Sequence, residues 1–154
     1  PNREPSSQEP SSQEPSSNKP EPFTGGCLCG AVRYAIHRKF LNAIHCHCSM
    51  CQRVHGGPYS THLVFRPDQL TWLSGHEQLT AFESSENAFR EFCRTCGSQM
   101  LIHGQTGDGT LSIPAGTLDG DPPITLLGHM FVDDRLAWAL PDPTLPEHKG
   151  WPPL

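Results

Sequence analysis

The sequence predicts a mainly β fold with few short helices, stabilised in part by bound metal. Three observations carry that reading. Short runs alternate apolar and polar residues, as in Val32, Tyr34 and Ile36 between Ala31 and His37. Among 154 residues, 14 Gly and 16 Pro cut the chain into short elements. Seven cysteines fall into three tight groups, Cys27/Cys29, Cys46/Cys48/Cys51 and Cys93/Cys96. With only 35% of residues hydrophobic, the core is modest, and metal binding adds folding free energy that apolar burial does not supply.

Along the chain, residues 1–22 repeat Glu-Pro-Ser-Ser-Gln at Glu4 and Glu9, with a variant at Glu14. They hold no aliphatic or aromatic side chain to bury, which predicts a disordered tail and leaves 23–154 as one metal-binding domain. Gly25-Gly26-Cys27-Leu28-Cys29-Gly30 reads as a glycine-bracketed turn whose backbone can aim amides at sulfur, followed by a strand from Ala31 to His37. Phe40 to His47 is a second strand-like stretch, and Ser49 to His55 a short helical turn with Ser49 as its cap. Gly56-Gly57-Pro58 ends it. Strands are then expected over Tyr59–Phe65 and Leu70–Leu73, with a turn at Arg66-Pro67-Asp68. A hairpin joins Leu79–Glu83 to Ala88–Phe92 and delivers Cys93. Further strands are expected over Gln99–His103, Leu111–Ile113 and His129–Val132, the loop Asp119 to Pro123 preceding the last. From Asp133 onward recurrent prolines forbid long elements, and Leu136, Trp138, Leu140 and Trp151 are expected to dock as a strap.

Composition narrows the class of function. A formal charge of -5 with 11 Lys and Arg lacks the basic excess that phosphate neutralisation needs, which argues against a nucleic-acid binder. Neither a run of about 18 apolar residues nor a basic and apolar leader is visible, which predicts a soluble cytoplasmic protein with reduced thiols and no membrane partner. An odd number of cysteines, several only two residues apart, is a poor disulfide framework.

The spacing points instead to metal. Cys93-Arg94-Thr95-Cys96-Gly97 has the form of a zinc knuckle, in which two sulfurs reach one ion and a glycine permits the turn beyond. Cys27, Cys29, Cys93 and Cys96 supply the four thiolates of a structural zinc that closes a long loop. Cys46, Cys48 and Cys51 give three ligands, and a zinc with an open fourth position is the arrangement that performs chemistry. Spacing also permits Cys46 and Cys48 to join Cys93 and Cys96, or a histidine among His45, His47, His55 and His62 to close the second site. In an extended segment His47 points away from its two cysteine neighbours.

The motifs Gly-Gly-Cys-x-Cys-Gly-x-Val-x-Tyr (Gly25 to Tyr34), Cys-His-Cys-Ser-x-Cys-x-Arg (Cys46 to Arg53) and Phe-Cys-x-x-Cys-Gly-Ser (Phe92 to Ser98) stand in one order. They closely resemble the glutathione-dependent formaldehyde-activating enzyme family, which also includes centromere protein V. Ala115 to Asp119, His129 to Phe131 and Trp138 extend the resemblance. It implies an Mss4-like zinc-binding β-sheet fold with two zinc ions per chain: a structural one at Cys27, Cys29, Cys93 and Cys96, and a catalytic one at Cys46, Cys48 and Cys51. It further implies the joining of glutathione or a similar thiol to formaldehyde or another small aldehyde, formally a carbon-sulfur lyase run in reverse.

From the residues, four thiolates around a divalent ion leave a formal charge of -2, which calls for a nearby cation, and Arg53 is the candidate. His55 or water is the candidate proton source. Arg33, Arg38, Lys39, Arg53, Arg66 and Arg90 are the cations available for the carboxylates of glutathione. Two other classes fit the same residues: a noncatalytic zinc scaffold, and a redox sensor that loses metal on thiol oxidation.

Overall fold

A computed structural model of the chain describes residues 21–39, 41–104, 106–139 and 148–149. Residues 1–20 of the tail expected over 1–22 and the strap residues Leu140 and Trp151 lie outside the described residues. The described elements are β1 (Phe23–Gly26), β2 (Arg33–Ile36), β3 (Leu41–Cys46), α1 (Ser49–His55), β4 (Ser60–Phe65), β5 (Leu70–Ser74), β6 (Leu79–Ser85), β7 (Ala88–Cys93), β8 (Gln99–His103), β9 (Leu111–Pro114) and β10 (Ile124–Met130). The mainly β expectation therefore holds, and α1 is the single α-helix among the described residues.

Two sheets form. β1, β2 and β5 make a three-stranded antiparallel sheet, and the seven-stranded sheet runs in the order β10-β3-β4-β9-β8-β7-β6. Its pairs are antiparallel except β10 against β3, which is parallel. The apolar alternation explains the core: Val32, Tyr34, Ile36, Leu63, Met100 and Ile113 are buried in one cluster, with Cys27 and Cys93 at its margin. Tyr34 lies fully buried, and its hydroxyl donates to Thr117 Oγ1 at 2.8 Å while Thr117 donates onward to the Pro114 carbonyl. A side chain at Gly25 would meet that phenol and come within 2.5 Å of the Thr117 carbonyl, so this position needs glycine for space.

Several boundaries differ from the sequence reading, each for a local reason. Gly25 and Gly26 lie in β1, paired with Tyr34 and Arg33, and are not part of a turn; close approach of the Tyr34 ring overrides glycine's weak strand preference. The cap of α1 is Cys48, whose sulfur accepts the Cys51 amide at 3.4 Å and takes the place expected for Ser49. β10 begins at Ile124, well before His129, because it is an edge strand with Leu126 and Leu127 exposed and a register shift between Leu126 and His129 that breaks the alternation. It ends at Met130, where Phe131 turns into the left-handed region at φ 56. Trp138 does not dock: it is 74% exposed, in the short 3-10 turn Ala137–Ala139.

Candidate metal centres

The first centre is built from two tight turns. Cys27 and Cys29 lie just beyond β1, where the Cys27 amide bonds the Val32 carbonyl at 3.1 Å and the Val32 amide points at Cys27 Sγ at 3.3 Å. Cys93 ends β7, and Gly97, at φ 74, returns its amide to the Cys93 carbonyl at 2.8 Å, the turn that the Cys-x-x-Cys-Gly spacing anticipates. Ser98 ties the turns together. Its hydroxyl accepts the Leu28 amide at 3.0 Å and donates to Cys96 Sγ at 3.3 Å. Hydrogen bonds from the Ser98 hydroxyl, then from the amides of Ser98 and Cys29, lower the Cys96 thiol to about 5. The four sulfurs lie within 4.8 Å of one another, with Cys27 to Cys29 at 3.5 Å and Cys29 to Cys93 at 3.8 Å. A tetrahedral zinc about 2.3 Å from each sulfur requires edges of about 3.8 Å, so this set fits the ion.

The second centre is a small buried cluster of Cys46, Cys48 and Cys51 against Met130. Cys46 closes β3, Cys48 caps α1 and Cys51 lies in its first turn, so a strand end and a helix start aim three thiols at one point. Their sulfurs lie within 4.8 Å of one another, with Cys46 to Cys48 at 3.5 Å. The geometry separates this trio from Cys93 and Cys96, and among the described residues no histidine joins it within that reach. Two buried polar groups face Cys51 from the sheet. His62 Nε2 on β4 is 3.6 Å from Cys51 Sγ, and Arg90 Nη2 on β7 is 3.8 Å from it. Arg90 is 1% exposed and its Nε donates to Ser84 Oγ at 3.2 Å. Hydrogen bonding with Cys46, then His62 and the charge of Arg90, holds the Cys51 thiol down at about 3, and the same pairing pushes Cys46 up. Soft thiolates with a cation and an imidazole beside them fit a divalent metal of the zinc type.

Arg53, expected to supply the compensating charge, sits exposed in the last turn of α1 and does not line the cavity at the trio. The cation is Arg90. Its signal was faint: in β7 it alternates with Phe89 and Glu91 and shares a face with buried Ala88, a place where a charged residue is costly unless partnered. His55 lies beside His62, with ring centroids 5.5 Å apart, and burial lowers it to about 4, so it is neutral near pH 7 and is not the acid facing the site. His47 turns away from the thiols, as the extended segment requires, and meets His129 at 2.9 Å.

A cavity of about 530 Å³ opens over Cys46, Cys48 and Cys51. Ile44, Val64, Ile102 and Phe131 give it apolar walls, and His62 and Ser112 add polar groups. Among the described residues its lining holds one carboxylate, Glu86, and no lysine or arginine. Three of the six cations weighed for a substrate are engaged elsewhere: Arg33 with Asp119, Arg38 with the Val64 carbonyl and Arg66 with the Asp108 carbonyl.

The fold and site define a small β-sheet protein with two thiol centres able to bind metal, one closed by four cysteines and one left with three. Residues 22–134 match the family model described as glutathione-dependent formaldehyde-activating enzyme, and the chain belongs to that family. A Schizosaccharomyces pombe protein described as an uncharacterized lyase is 26% identical over 113 residues, covering 73% of this chain and 80% of that protein. A solved Rhodobacter sphaeroides protein is 28% identical with a TM-score of 0.56, covering 65% of this chain and 91% of that one. Among the described residues no helix is long and apolar enough to cross a membrane.

Proposed function

We propose that this protein is a zinc-dependent lyase-type enzyme that joins a thiol, glutathione or a similar one, to formaldehyde or another small aldehyde. The observation that carries the reading is the buried trio Cys46, Cys48 and Cys51, which no further His, Cys, Asp or Glu joins with all its ligand atoms within 4.8 Å among the described residues, beneath a cavity of about 530 Å³. Family membership and the lyase description of the yeast relative support the class of reaction. Zinc, when held by these three thiolates, supplies the positive charge that keeps an incoming thiol ionised and nucleophilic near neutral pH. The chain's own residues do the rest. Arg90 and His62 offset the negative charge at Cys51, which keeps the trio ionised and oriented. The apolar walls exclude water from a small carbonyl compound, and the Ser112 hydroxyl offers a hydrogen bond to its oxygen. The carbon-sulfur bond forms as the carbonyl π pair moves to oxygen, and the proton lost by the thiol is returned to that oxygen from solvent. The charges of a peptide thiol remain outside the cavity, whose lining lacks a cation. Cys27, Cys29, Cys93 and Cys96 would hold the structural ion.

The test is the loss of formaldehyde with glutathione present, followed against the uncatalysed rate. A saturable, protein-dependent acceleration that disappears in Cys48→Ser while circular dichroism stays native is expected. A rate equal to the uncatalysed one in protein carrying two zinc ions would exclude this substrate pair.

A further inference from the structure

The other large cavity, about 540 Å³, lies on the opposite side of the Cys46-His47-Cys48 segment and shares no lining residue with the thiol cavity. His47, Tyr59, His129, Arg135 and Trp138 form most of its wall, and no Asp or Glu among the described residues lines it. Its donors are arranged by a proton assignment that the surroundings dictate. His47 is 4% exposed, and its Nδ1 is buried without a partner. A buried N–H is rarely left orphaned, so the His47 proton sits on Nε2 and is donated to His129 Nδ1, 2.9 Å away. His129 then carries its own proton on Nε2, which has no protein partner among the described residues. Arg135 is exposed, and its guanidinium makes no hydrogen bond or ion pair among the described residues. Two apolar rings complete the wall: Trp138, 74% exposed, and Tyr59, held at 4.7 Å from the His45 ring and 5.3 Å from that of His47.

We propose that this cavity is a second ligand site, separate from the thiol site, for a small organic carboxylate with a flat apolar body. Arg135 presents a fork that matches the two carboxylate oxygens, and His129 Nε2–H adds a donor. Trp138 and Tyr59 pack the body, and aromatic walls with a few placed polar groups are the usual lining of small-molecule pockets. The absence of an acidic side chain from its lining among the described residues makes the cavity favourable to an anion in a chain whose formal charge is -5. A divalent cation is disfavoured there by Arg135.

The test uses the full, zinc-loaded chain and two probes of one shape, benzoate and the neutral benzyl alcohol, titrated by calorimetry. Saturable benzoate binding, with benzyl alcohol weaker by about ten-fold or more, is expected. Arg135→Gln should weaken benzoate by a similar factor without moving the melting temperature of the ligand-free protein, since the Arg135 side chain is exposed and has no partner among the described residues, and Arg135→Lys should recover part of the loss. Equal binding of the two probes, undiminished benzoate binding by Arg135→Gln, or displacement of benzoate by saturating glutathione would overturn the proposal. Formaldehyde turnover does not enter these readouts.

Discussion

Arg90 is the residue on which the second centre turns. A guanidinium that is 1% exposed has surrendered its hydration, and here it is compensated by Cys51 Sγ and Ser84 Oγ, with Nη1 left without a partner. Removing it leaves three converging thiolates with His62 alone to offset them. Arg90→Gln is therefore expected to weaken metal at the trio by roughly 10–100-fold, the usual scale for groups that orient and balance metal ligands. Competition with a chromophoric chelator on protein carrying two zinc ions would show one ion released earlier and the other unchanged, with Arg90→Lys intermediate. Release of both ions as in the unsubstituted protein would sink the idea. In the sequence Arg90 is one cation among several. Its burial depends on how β7 packs against α1 and β6, which no local pattern records.

At the scale of elements, the small sheet is pinned to the loop after the Ala115–Thr117 turn by Asp119. Arg33 Nη1 donates to Asp119 Oδ1 at 2.9 Å, Arg33 Nη2 to Oδ2, and Thr24 Oγ1 to Oδ2 at 2.6 Å, so β1 and β2 both hold one carboxylate. Arg33, then Thr24, lowers the Asp119 carboxyl below its ordinary range. A depressed carboxylate adds stability that is present above the unfolded pKa, about 3.9, and is lost as pH falls through the lower folded value. The pair is substantially exposed, which limits its worth to about 0.5 kcal/mol. Asp119→Asn should thus lower the urea midpoint slightly at neutral pH, and the gap from the unsubstituted protein should close as pH drops below about 4. A gap that persists undiminished in acid would show that the pair is not its source. The same scale explains where strand boundaries escaped the sequence. The end of β1 looks like a turn because its glycines make room for Tyr34, and the first part of β10, before His129, escapes notice because an edge strand with a register shift loses its alternation.

For the whole molecule, the two centres have different structural reach. The first joins turns whose cysteines, Cys29 and Cys93, are 64 residues apart, and it borders the main core through Cys27 and Cys93. An ion there constrains most of the fold. The trio gathers residues five positions apart at most around the start of α1, in a separate cluster. Cys96→Ser is accordingly expected to lower the melting temperature by roughly 6–10 °C, about 2 kcal/mol for a domain of this size, and to reduce soluble yield. Cys51→Ser should cost far less stability while removing formaldehyde turnover. Equal thermal losses in the two variants would contradict the division between a structural and a working centre.

Much of this was legible from the chain alone, because metal ligands and tight turns are local. A Cys-x-x-Cys-Gly spacing points to a chelating turn, alternation in Val32, Tyr34 and Ile36 specifies a buried strand face, and the ligand count suggests a set of four thiols and a set of three, a division that the spacing left open and the geometry separates. Only the tertiary structure decided which cation faces the thiolates, that Cys48 rather than Ser49 caps α1, and that His47 pairs with His129 across β3 and β10. It also placed separate cavities on the two sides of the Cys46–Cys48 segment. Those outcomes arise from contacts between segments far apart in sequence, whose register is fixed by the packing of both sheets and not by the composition of any one element.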